Sequence, residues 1–87
     1  MSSNEQTLAA ISSLPGDIDQ VTSYVTAAKQ TIDAINSQIA DAIGDTNAGQ
    51  QAMAYLANAV TAIDNAASSF GASKAAVEEA INSLSSF

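Results

Sequence analysis

The middle of the chain reads Ile39-Ala40-Asp41-Ala42-Ile43-Gly44-Asp45-Thr46-Asn47-Ala48-Gly49-Gln50-Gln51-Ala52-Met53. Apolar residues at helical spacing run up to this stretch and resume beyond it. Two glycines and three good capping residues separate them. Gly44 suits the left-handed position just past a helix end. Asp45, Thr46 and Asn47 are each suited to cap a new helix, and Asn47 with Gln50 has capping-box spacing. Residues 44–49 are therefore read as a turn between two helices, with Gly44, Asp45, Asn47 and Gly49 as its defining residues.

Upstream of the turn, Ile11, Leu14, Ile18, Val21, Val25, Ala28, Ile32, Ile35, Ile39 and Ala42 follow one another in strictly alternating steps of three and four. Downstream, Met53, Leu56, Val60, Ile63, Ala67, Phe70, Lys74, Val77, Ile81 and Leu84 do the same. All nine acids fall off these two lines. A seam kept over more than four heptads in each arm is the signature of paired helices. The turn lies at the midpoint of 87 residues, so each arm is about 40 residues and roughly 60 Å long. The expected fold is all-α: one domain over 1–87, an antiparallel two-helix hairpin with arms of about 4–43 and 47–86. Composition agrees. Nineteen alanines, one proline and four glycines favour helix, and a disordered chain lacks such regularly spaced large apolar residues.

Three positions qualify the picture. Pro15-Gly16 predicts a kink or break: a short helix over about 4–13, then a long one from about 17 capped by Asp17, with the seam in phase across the gap. Ser2 with Glu5 has capping-box spacing for the short piece. Gly71 is a weak point, but phase continuity from Phe70 to Val77 predicts an unbroken helix. Lys74 stands on the seam. It either snorkels to water from a splayed region or meets an acid across the interface and fixes register. Lys29, four residues before Asp33, reads as a surface pair.

Composition excludes much chemistry. The chain has no His, no Cys and no Trp, and its two cations against nine acids give a net charge of −7. The usual zinc, haem and iron–sulfur ligand sets are missing, as are the thiol nucleophile and the histidine base. So few cations argue against nucleic acid as a partner. Asp41, Asp45 and Asn47 lack the spacing of a calcium loop. No catalytic, metal or cofactor residues are assigned, and no enzyme activity is expected. No run approaches the roughly 20 apolar residues of a membrane span, and the opening MSSNEQTL has neither the charge nor the apolar core of a signal peptide.

What remains is association. Two helices bury one stripe each, which makes a marginal core. Ala27, Ala34, Ala52, Ala59, Ala66 and Ala80 lie beside the seam and allow close helix approach. Two readings follow: the alanines serve only helix propensity on the surface, or they pack a second hairpin that completes a four-helix bundle, as a homodimer or as a heterodimer with another helical hairpin. Tyr24 and Tyr55 are candidates for partial burial against it, and Phe87 for recognition by a partner.

An acidic chain of under 100 residues, without a signal peptide and turning at its midpoint into two equal helices, resembles the small type VII secretion proteins of the WxG-motif superfamily. The run Gly49-Gln50-Gln51-Ala52-Met53 is similar to the family's segment after its turn. Two departures stand out: no Trp occupies the turn, and Tyr55 and Phe70 are followed four residues later by Ala59 and Lys74, so the family's C-terminal Tyr-x-x-x-acid export signal is missing. The resemblance implies a divergent, Trp-less member: a four-helix-bundle dimer secreted without a signal peptide, or an adaptor for a larger secreted effector that carries the signal. The alternatives are a needle-like filament or surface-assembly subunit and a cytoplasmic coiled-coil adaptor.

Overall fold

Thr46 joins the two arms. In the computed structural model, which describes residues 3–86, the helices are α1 (Ser3–Ile11), α2 (Leu14–Ile43) and α3 (Asn47–Ser85), and the described residues contain no strand. The Thr46 backbone is extended, with φ −99° and ψ 155°. Its hydroxyl accepts the Gly49 N–H at 3.0 Å and donates to the Ile43 carbonyl at 2.7 Å. One side chain thus caps the start of α3 and closes the end of α2, satisfying orphan backbone groups on both.

This differs in detail from the expected turn. Thr46, not Asn47, is the cap, and Asn47 is already the first residue of α3. The connection is three residues, 44–46, and Gly49 lies inside the helix. Gly44 is right-handed at φ −62°, not left-handed, and its N–H donates to the Ala40 carbonyl at 3.2 Å. Thr46 already supplies the reversal, so no positive φ is needed; none occurs among the described residues. A Cβ on Gly44 would collide with the Ala40 carbonyl oxygen, so close approach rather than a positive φ requires glycine there, and the same holds for Gly49. It is the one fully buried residue among those described, and a Cβ there would collide with the Ile43 carbonyl oxygen. Its missing side chain lets the first turn of α3 sit directly on the last residue of α2.

At the other end the interruption is slight. The Ser12 N–H reaches the Leu8 carbonyl at 3.0 Å and the Asp17 N–H reaches that of Ser13 at 3.2 Å. Ser13 keeps right-handed dihedrals, φ −88° and ψ −11°. The break falls at Ser12–Ser13, before the proline, and α2 begins at Leu14 rather than near residue 17. Pro15 occupies the first turn of α2, where an absent N–H costs nothing and its fixed φ is helical already. Asp17 does not cap; it lies in that first turn, where an acid complements the helix dipole. The first arm bends by only 18°, so α1 packs against α3 as α2 does. Ser2 lies outside the described residues.

α3 runs unbroken through Gly71, as the phase of the seam predicts. The result is a rod of 66 × 14 × 14 Å.

The two glycines of α3 should respond oppositely to alanine. Gly71 is exposed with open space around it, so Gly71→Ala is expected to stabilise by about 0.5–1 kcal/mol. Gly49→Ala is expected to destabilise by about 2 kcal/mol or more through overpacking. Thermal unfolding followed by circular dichroism measures both.

Candidate functional site

The second arm packs as its seam predicts. Met53, Leu56, Val60, Ile63, Ala67, Phe70, Lys74, Val77, Ile81 and Leu84 are all half-buried. The first arm does not. Ile11, Ile18, Val25, Ile32 and Ile39 are half-buried, but the other half of its seam is turned outward: Leu14, Val21, Ala28, Ile35 and Ala42 are all exposed. Their inward places go to Leu8, Pro15, Thr22, Lys29 and Asn36. The first arm is rotated about its axis relative to the expected seam.

Polar side chains make the rotation tolerable. Thr22 satisfies its own hydroxyl by donating to the Ile18 carbonyl at 2.9 Å, so it sits against α3 without needing a partner there. Lys29 reaches across the hairpin to Asp64 at 2.9 Å, and Lys74 reaches Asp19 at 2.9 Å. Lys29 therefore bonds the opposite helix rather than Asp33 on its own. Lys74 meets an acid across the interface, which is the register-fixing alternative. In both residues the stem packs while the ammonium reaches the surface. Hydrogen bonding to the carboxylate, then its charge, holds each lysine pKa above its ordinary value. Asn36 shows the cost of the rotation: its Oδ1 is buried with no hydrogen-bond partner.

The two ion pairs also fix which residues stand level, since ten residues down α2 correspond to ten up α3. By that register the outward row Leu14, Val21, Ala28, Ile35, Ala42 stands beside the row Ala80, Ser73, Ala66, Ala59, Ala52 of α3. Neither row contains a charge. An open groove of about 260 Å³ runs between them near the chain ends, lined by Leu14, Ile18, Val21, Phe70, Ser73 and Val77, with Asp17 at its edge. Both ion pairs lie on the opposite flank, where a second groove is lined by Asp33, Asn36 and Ala57 together with Ile32, Leu56 and Val60. The hairpin thus has a polar flank and a neutral, apolar one.

Two tyrosines border the apolar flank. Tyr24 follows Val21 by three residues and precedes Ala28 by four; Tyr55 stands the same way between Ala52 and Ala59. Helical spacing puts each beside its row. They are 64 % and 73 % exposed, the most open of the described large apolar residues, with Leu14 at 37 %, Val21 and Ile35 at 41 % and Ile43 at 42 %. The Gln20 amide donates to the Tyr24 hydroxyl at 3.1 Å. Phe87 lies outside the described residues.

No large apolar side chain is fully buried among the described residues. No helix is long and apolar enough to cross a membrane, and no group of three or more acidic, His or Cys side chains is placed to hold a metal, among the same residues. No protein-family model, no curated protein and no solved structure matches the chain.

Lysine 74 provides a test of what holds the hairpin. Exposed ion pairs contribute little and are screened by salt, whereas an apolar group at a seam position gains burial. Lys74→Met is expected to raise the melting temperature by a few degrees. In the parent protein, a raised lysine pKa means that the pairs' contribution is complete below the ordinary lysine pKa of about 10.4 and fades as pH rises beyond it. Lys74→Met should therefore lose less stability than the parent between pH 9 and 11.5, as read by circular dichroism (a window set by about one unit either side of that pKa).

Proposed function

We propose that this chain is a non-enzymatic association module whose neutral flank packs against another helical hairpin to complete a four-helix bundle. The observation that carries the reading is an absence of core together with a ready-made apolar row. Among the described residues no apolar side chain is fully buried, while Leu14, Val21 and Ile35 stand outward in one line. Fully burying a Val, Leu or Ile is worth roughly 1.5–3 kcal/mol, so the stabilisation that one hairpin lacks is available on its surface. Small residues on the neighbouring row permit the close approach that bundle packing needs. Exposed tyrosines at the margin fit an interface rim, apolar on one side and wet on the other.

The resemblance to small type VII secretion proteins enters the proposal at the level of role. Equal helical arms and a mid-chain turn suit a chain that acts by pairing, as exported protein or as adaptor for a larger effector.

Native mass spectrometry tests the pairing on the protein alone and on the protein recovered from its host. The expected result is a complex with itself or with another helical chain. Replacing Val21 and Ile35 together by Asp places two carboxylates on the flank and should weaken that complex about a hundredfold or more, with helical content retained. A chain that is monomeric in both settings overturns the reading.

A further inference from the structure

We infer that the flank is filled by a second copy of this chain, set parallel to the first so that both turns lie at the same end; this rests on the pairing proposed above. Three observations select the occupant and its direction.

The first is area. The chain exposes 5829 Å², where a compact monomer of its mass is expected to expose roughly 4,800 Å². The surplus, roughly 1,000 Å², is close to the about 800 Å² per partner of a standard stable interface. The second is charge. At −7 per chain self-association is opposed unless the charges stay apart; the rows that would meet carry none, and Asp17 lines the groove between them at one end. Glu78, Asp64, Asp33 and Asp19 belong to the rows on the other side of the hairpin, two of them already neutralised by lysine.

The third is shape. A two-fold axis along the rod lays the α2 row of one copy over the α3 row of the other at unchanged level. Leu14 then faces the partner's Ala80, Val21 its Ser73 and Ile35 its Ala59, with Ala28 over its Ala66 and Ala42 over its Ala52. Every large residue meets a small one, the condition for interdigitating layers. A two-fold axis across the rod instead puts α2 on α2. Val21 then meets Ile35, while the α3 rows meet Ala on Ala or Ser. One side of that bundle is held apart while the other closes.

The chain has no cysteine, so single introduced cysteines report the arrangement cleanly. Sedimentation of the unmodified protein at high micromolar concentration should give a dimer. Chains carrying Ala28→Cys mixed with chains carrying Ala66→Cys should form a disulfide-linked dimer on mild oxidation, and neither variant should do so alone. Self-linking of Ala28→Cys alone overturns the parallel arrangement in favour of the reversed one. A dimer that cross-links in neither way overturns the use of this flank. A monomer in sedimentation overturns the second copy. If native mass spectrometry from the host then shows a complex with a different helical chain, the pairing itself stands.

Discussion

A pair of helices has one line of contact, and each helix offers it a strip about a third of its circumference wide. That geometric limit governs this protein. Side chains on the line are covered from one direction only, so even Ile32, Leu56 and Phe70 are half-buried rather than buried. Among the described residues the single one that reaches full burial is Gly49, where there is no side chain to cover. Apolar residues that fit the heptad but miss the line have nowhere to go within the chain.

The sequence showed the arms, the place of the turn and the continuity of α3 because each depends on local rules. Alternating steps of three and four define a stripe whatever it packs against. Glycine and capping residues define an end. Rotation about the helix axis was not legible, for a physical reason. The first arm's apolar stripe spans two rows, and a lone partner helix contacts only part of it. Choosing which part depends on cross-helix groups such as Lys29 with Asp64 and Lys74 with Asp19, whose partners lie 35 and 55 residues away in sequence. Thr22 and Asn36 read as solvent-facing because nothing local says that an i−4 hydroxyl bond, or an unsatisfied amide oxygen, makes them tolerable inside.

The turn shows the same division on a smaller scale. Three adjacent residues are competent caps, and propensity ranks Asp and Asn at or above Thr. Thr46 takes the position because its hydroxyl both accepts from Gly49 and donates to Ile43. An ionised Asp accepts only and would face the Ile43 carbonyl without a proton to offer. That second bond ties the cap to the helix before it, and it brings Gly49 onto Ile43, where glycine alone fits.

The rotation decides which side chains the rod's surface offers. Had both halves of the first arm's seam faced α3, Leu14, Val21 and Ile35 would lie inward instead of beside Ala52, Ala59 and Ala66, which are themselves half-buried. Turning the first arm toward its ion pairs moves Leu14, Val21 and Ile35 out beside those alanines and gathers the lysine–aspartate contacts on the other side. One displacement thus makes an asymmetric rod from a symmetric pattern. The chain's mean hydropathy is only +0.12, yet Leu14, Val21 and Ile35 stand in one outward row that carries no charge. Polarity averaged over the sequence is distributed in space by the helix rotation, which sets where on the rod the apolar part lies.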